Sequence, residues 1–108
     1  MRLYHNPRCS KSRIAVSLLL DAGYEFEEYR YLSEGIAHED LAILSTLDGI
    51  IRNKDVQGDI NINNLDPSDI RELLINQPKC LERPVLIWNG KAVIGRPPEL
   101  IIEFLVNQ

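Results

Sequence analysis

The chain predicts an α/β fold, a four-stranded mixed sheet flanked by helices, and three observations carry that prediction. A short strand, a helix and an alternating segment follow one another near the N-terminus, which implies a parallel strand pair joined by a helical crossover. Near the C-terminus two apolar strands meet at Asn89-Gly90, the strongest short hairpin signal. Helical segments fill the stretch between, and one more helix follows the hairpin. With 108 residues, the chain is expected to form one domain, 1–108, able to bury a single modest core without disulfides.

Taken in order, Arg2 to His5 is short and reads as a first strand. Ser10 to Ala22 reads as a helix, because Ile14, Ala15, Leu18, Leu19 and Ala22 recur at helical spacing and Gly23 supplies a left-handed end. Tyr24 to Tyr29 alternates aromatic and acidic residues and predicts a second strand. Glu39 to Leu47 predicts a helix with Leu41 and Leu44 inward. Asp66-Pro67-Ser68-Asp69 is a helix start, with a capping carboxylate, proline at the first position and an acid in the first turn. That helix carries Ile70, Leu73 and Leu74 and ends before Pro78. Pro84 to Trp88 and Lys91 to Ile94 are the hairpin strands. Pro98 opens a last helix with Leu100, Ile101, Phe104 and Leu105. Trp88 and the apolar helix positions are read as core. The order of elements resembles the thioredoxin-like fold, which by itself says nothing of function.

Apolar residues make up 44% and charged residues 26% of the chain, a soluble globular balance, and the net charge of −4 disfavours a nucleic-acid binder. The N-terminus shows no apolar leader, and no run approaches the ~20 apolar residues of a membrane span. Two well-separated cysteines make no disulfide framework, so the expected location is the reducing cytoplasm. Neither a second copy nor a membrane is needed, and a monomer is expected. Two histidines and two cysteines, all apart, predict no metal site and no bound cofactor.

The chemistry is concentrated in His5-Asn6-Pro7-Arg8-Cys9-Ser10-Lys11-Ser12-Arg13. Cys9 falls between the first strand and the first helix, at a helix N-terminus. There, unpaired amides and the dipole favour an anion, and so favour thiolate over thiol. Arg8, Lys11 and Arg13 crowd around it, and His5 adds a further candidate charge. A basic pocket in an acidic chain suits a small anion. The competing structural reading is a buried, inert thiol near a loop; three flanking cations at a helix start favour reactivity.

This stretch resembles the arsenate reductase family of thioredoxin-fold proteins, the branch that uses glutathione and glutaredoxin. His-Asn-Pro-x-Cys-x-x-Ser-Arg is met by His5, Asn6, Pro7, Cys9, Ser12 and Arg13. Ile51-Arg52-Asn53-Lys54, Cys80-Leu81-Glu82-Arg83-Pro84 and Gly95-Arg96-Pro97-Pro98-Glu99 are similar to three further blocks of that family, in the same order. The resemblance implies that a Cys9 thiolate attacks arsenate or a similar small oxyanion, that glutathione attacks the adduct as co-substrate, and that glutaredoxin resolves the mixed species. It implies anion-binding roles for Arg52, Arg83 and Arg96, with Arg13 nearby. Planar, permanently charged guanidinium groups suit a tetrahedral oxyanion. It implies that His5 favours the thiolate, that Ser12 donates to it, and that Pro84 is the candidate cis-proline beside the site.

Position 12 is Ser, so there is no Cys-x-x-Cys pair of a self-contained dithiol enzyme. Cys9 to Arg13 spans three intervening residues, too few for the Cys-x5-Arg loop of cysteine phosphatases. Cys80 is expected to fill an apolar site rather than to resolve a Cys9 disulfide. His38 reads as a surface or capping residue, and Glu25, Glu27 and Glu28 as strand-end surface charges. Two functions from different classes stand: a thiol-dependent arsenate reductase, and a non-catalytic or regulatory protein of the same fold that binds glutathione or a protein partner.

Overall fold

The computed structural model describes residues 1–108, which form two compact units. The first comprises Met1–Arg30 with Arg83–Gln108, and the second Tyr31–Glu82.

The first unit holds the whole sheet. Its strands are β1 (Arg2–Tyr4), β2 (Glu27–Tyr29), β3 (Val85–Trp88) and β4 (Lys91–Ile94), in the order β2-β1-β3-β4. β1 pairs parallel with β2 and antiparallel with β3, and β3 pairs antiparallel with β4. This is the mixed sheet of a thioredoxin-like fold. The parallel pair is joined by α1 (Ser10–Asp21), and α5 (Glu99–Val106) follows the hairpin. Ala15 and Leu19 of α1 and Ile101 and Leu105 of α5 bury against Leu3 and Leu86 of the two central strands. Asn89 (φ 54°) and Gly90 (φ 75°) both adopt the left-handed backbone that a two-residue hairpin turn requires.

Several elements differ from expectation. The second strand is only Glu27–Tyr29, because the amides of Gly23 and Tyr24 bond back to Leu20 and Leu19 and tie the preceding residues to the end of α1. Tyr24 and Phe26 then pack against the core as half-buried side chains. Along α1 only Ala15 and Leu19 of the five predicted apolar positions are buried; Ile14 is 46% exposed. Trp88 is not core: it sits at the tip of the hairpin and is 40% exposed. The Arg83–Pro84 and Arg96–Pro97 peptide bonds are both cis.

The second unit comprises α2 (Tyr31–Glu34), α3 (Leu41–Ser45), α4 (Pro67–Asn76) and three 3-10 turns, His38–Asp40, Asn53–Asp55 and Pro78–Cys80. The helix expected over 39–47 is thus a 3-10 turn running into five α-helical residues. Backbone bonds from Thr46 to Ile43 and from Leu47 to Leu44 tighten its end. Leu41 and Leu44 are buried as the spacing predicts. α4 starts as read: the Asp66 carboxylate accepts from the Asp69 amide at 2.9 Å, the Asp69 carboxylate accepts from the Asp66 amide at 3.2 Å, and Pro67 is the first helical residue. Cys80 and Leu81 are fully buried beside an Ile51–Leu81 bridge. No helix is long and apolar enough to cross a membrane.

Candidate active site

The loop between β1 and α1 is built by short-range hydrogen bonds. The Asn6 side-chain carbonyl accepts from the Arg8 amide at 3.0 Å, and the Asn6 backbone carbonyl accepts from the Cys9 amide at 3.0 Å. These bonds fold the chain back in one tight turn at Pro7, which has no amide to place. Cys9 is the N-cap of α1, with extended backbone (φ −92°, ψ 122°), and its carbonyl accepts the first helical bond, from Arg13. The sulfur therefore sits where the free amides of the first turn converge.

Burial and four polar groups act on that sulfur in opposite directions. Burial alone would raise the thiol, since desolvation penalises the charged form. The Ser12 amide, the Arg83 side chain, the Lys11 amide and the Ser12 hydroxyl outweigh it and bring Cys9 from an ordinary 9.0 down to about 7. Cys9 remains half-buried rather than sealed. Ser12 itself is fully buried, and its oxygen accepts from the Asn6 amide at 3.3 Å. One residue thus links the loop, the helix and the sulfur.

Arg83 leads into β3 through Pro84. Arg96, at the end of β4, donates from Nη1 to the Arg83 carbonyl at 2.7 Å. Arg13 is exposed and donates from Nη1 to the Pro7 carbonyl at 3.0 Å, closing the loop it belongs to. In the first unit Ser12 and Arg83 bear on Cys9, Arg96 holds the Arg83 main chain, and Arg13 closes the loop from its exposed side. Arg52 belongs to the second unit. Its Nε lies 3.0 Å from Asp55 and its Nη1 3.5 Å from Glu82, so two carboxylates already balance its charge.

Two sequence expectations change. The adjacent cations are not what lowers the thiol: Arg8, Lys11 and Arg13 are exposed, Lys11 acts through its amide, and the guanidinium on the sulfur comes from Arg83, far along the chain. His5 is not a charged neighbour either. It is 4% exposed, and burial lowers its pKa below 6.5 against the raising influence of Glu28, with Arg30 and Arg13 adding to the lowering. Its imidazole is neutral at neutral pH, with Nε2 3.5 Å from Glu28 and Nδ1 buried without a hydrogen-bond partner. Glu28 is exposed, as expected of a surface charge, and what sequence reasoning missed is its contact with His5; it also pairs with Arg30 at 3.5 Å. Its position on β2 opposite Leu3 is set by a parallel register that no local pattern discloses.

Cys80 is a different thiol. It is fully buried in the second unit, and burial, with the Asp55 charge acting in the same direction, pushes it up to about 11. No group of three or more His, Cys, Asp and Glu is arranged to hold a metal ion.

Cys9 is thus a helix-capping cysteine beside a thioredoxin-like sheet, its thiol lowered to about 7 by the polar groups around it. A family model described as the ArsC family matches residues 4–104, and the chain belongs to that arsenate reductase family. It is 36% identical to an arsenate reductase of Neisseria meningitidis, covering 94% of each chain. It is 35% identical to the uncharacterized protein YfgD of Escherichia coli, covering 97% of this chain and 96% of YfgD. Among solved structures it is similar to an arsenate reductase from Vibrio cholerae, with a TM-score of 0.72, 29% identity, and coverage of 95% of this chain and 97% of that one.

Proposed function

We propose that this chain reduces arsenate to arsenite, with Cys9 as the nucleophile and glutathione and glutaredoxin as the source of electrons. The observation that carries the reading is the Cys9 thiol brought to about 7 by the donors around it. At neutral pH about half of such a thiol is thiolate.

In the first step the Cys9 thiolate forms a sulfur–arsenic bond, and one arsenic–oxygen bond breaks as that oxygen leaves as water after protonation. Arsenic remains As(V) in this adduct. A glutathione thiol then attacks it. Two electrons pass from two thiols to arsenic, one disulfide forms, and arsenite leaves. Glutaredoxin returns the mixed disulfide to thiol. The net change is arsenate plus two thiols giving arsenite, one disulfide and one water.

Arg83, Arg96 and Arg13 supply the positive charge for the oxyanion, and Ser12 with the first-turn amides holds the sulfur anionic. Arg52 contributes less in this reading, since Asp55 and Glu82 already neutralise it. His5 contributes through packing and its Glu28 contact rather than through charge. No bound cofactor is required, because glutathione is consumed as a co-substrate.

The test is arsenite release by the full chain with arsenate, glutathione, glutaredoxin and a recycling system, and with each thiol component omitted in turn. Turnover that needs both components supports the assignment. Turnover with another dithiol donor alone would replace the donor, and no arsenite under any condition would sink the substrate and favour a non-catalytic glutathione- or protein-binding role.

A further inference from the structure

Two consecutive residues at the end of β4 hold the segment that carries Arg83. The Gly95 amide donates to the Pro84 carbonyl at 2.8 Å, and Arg96 Nη1 donates to the Arg83 carbonyl at 2.7 Å. The approach is close. A Cβ on residue 95 would lie 2.6 Å from Ile101 Cδ1 and 2.9 Å from Pro84 Cγ. The segment so held presents the Arg83 guanidinium to the Cys9 sulfur.

We propose that Arg96 is a positioning residue for the Cys9 thiolate: it fixes the Arg83 main chain, and through it the Arg83 guanidinium on the sulfur, in the absence of any oxyanion. This rests on reading Cys9 as the nucleophile. It assigns Arg96 a task separate from anion binding. A guanidinium on a flexible stem holds a partner well only when its own backbone is fixed, because ordering that stem costs rotamer entropy. The charge-assisted bond from Arg96 to the Arg83 carbonyl supplies the fixing.

The other groups bearing on the sulfur are the Lys11 and Ser12 amides and the Ser12 hydroxyl on α1. Charged or titratable side chains on the neighbouring elements are Arg8, Lys11 and Arg13 in the loop and α1, His5 at the end of β1, and Glu28 and Arg30 at the end of β2. The double-variant cycle separates a shift that passes through the Arg83 arm from a direct effect of the Arg96 charge.

The experiment is the pH dependence of Cys9 alkylation by iodoacetamide in the full chain, without oxyanion or other thiol, with the modified cysteine identified by mass spectrometry. Arg96→Met fills a similar volume without a donor, and Arg96→Lys keeps a donor and the charge. Arg83→Met and the double variant complete a cycle. In Arg96→Met the midpoint should rise by about one unit, a roughly tenfold loss of thiolate well below it. Arg83→Met should rise at least as far, the double variant no further than Arg83→Met alone, and Arg96→Lys should stay near wild type. An unchanged midpoint in Arg96→Met, checked as folded by circular dichroism, would overturn the proposal. So would a double-variant shift equal to the sum of the singles, which would mean that Arg96 acts directly by its charge. A wild-type midpoint near an ordinary thiol value would instead sink the underlying reading of Cys9. Absence of arsenate turnover would leave this result unaffected.

Discussion

Substituting Gly95 with alanine tests how tightly the Arg83 segment is packed. The added Cβ would stand 2.6 Å from Ile101 Cδ1, 2.9 Å from Pro84 Cγ and 3.0 Å from Ile101 Cγ1. Carbon atoms rest at about 3.5–4.0 Å, so the nearest contact is short by about 1 Å. Neither neighbour has an easy escape. Ile101 is fully buried in the core of the first unit, and Pro84 is a buried ring whose carbonyl is bonded to the Gly95 amide. Overpacking of this kind costs about 1–3 kcal/mol. For a chain of this size 1 kcal/mol corresponds to roughly 4 °C, so the midpoint of thermal unfolding should fall by about 4–12 °C. The assay is a circular-dichroism melt of wild type and Gly95→Ala at one pH. A midpoint within about 1 °C of wild type would refute the claim that this approach is close.

Three further perturbations follow from the ionisation and pairing in the two units. Alkylation of the native chain should modify one thiol quickly, Cys9, with a midpoint near pH 7, while Cys80 reacts only on unfolding; two fast thiols would contradict the burial of Cys80. Against a thiol at the ordinary 9.0, Cys9 at pH 7 gains about 50-fold in thiolate and loses roughly 8-fold in intrinsic nucleophilicity, a net gain of about 6-fold. His5 has a folded pKa below its unfolded 6.5, so the unfolded chain binds the proton more readily and stability falls as pH drops below that value. The Cys9 contribution, present above pH 9 and lost as pH falls through about 7, is already spent there, so the difference between wild type and His5→Asn isolates the histidine; identical pH–stability curves below 6.5 would contradict its burial as a neutral ring. Arg52→Ala leaves Asp55 and Glu82 without their shared cation and should cost about 1–2 kcal/mol in urea unfolding, with a smaller effect on the oxyanion KM than Arg83→Ala; the reverse ranking would restore Arg52 to the anion site.

What could be read from the chain was what local chemistry specifies. Asp66-Pro67 starts α4 because a capping carboxylate and a proline at the first position act over three residues. Asn89-Gly90 makes the hairpin turn because both residues tolerate positive φ. Cys9 was recognisable as a helix-terminal thiol for the same reason. The partners of that thiol were only half legible. Ser12 and the amides come from the adjoining turn, whereas Arg83 arrives from 74 residues away and was named through resemblance, not through spacing. The cations next to Cys9 in sequence are exposed, and of the first-turn residues around them only Ser12 is buried. The motif does not disclose the charge of His5, because burial decides its ionisation. The bulk of Trp88 suggests core, while its place at the hairpin tip leaves it open. The Arg96 bond to the Arg83 carbonyl depends on the meeting of two loops and has no sequence signature.

The most direct test of the account compares arsenate reduction by wild type, Cys9→Ser and Cys80→Ser in the complete glutathione–glutaredoxin system. Cys9→Ser should abolish arsenite release, and Cys80→Ser, with its buried high-pKa thiol removed, should retain turnover at the wild-type order of magnitude. Residual turnover in Cys9→Ser, or loss in a folded Cys80→Ser, would contradict Cys9 as the nucleophile that carries the reaction.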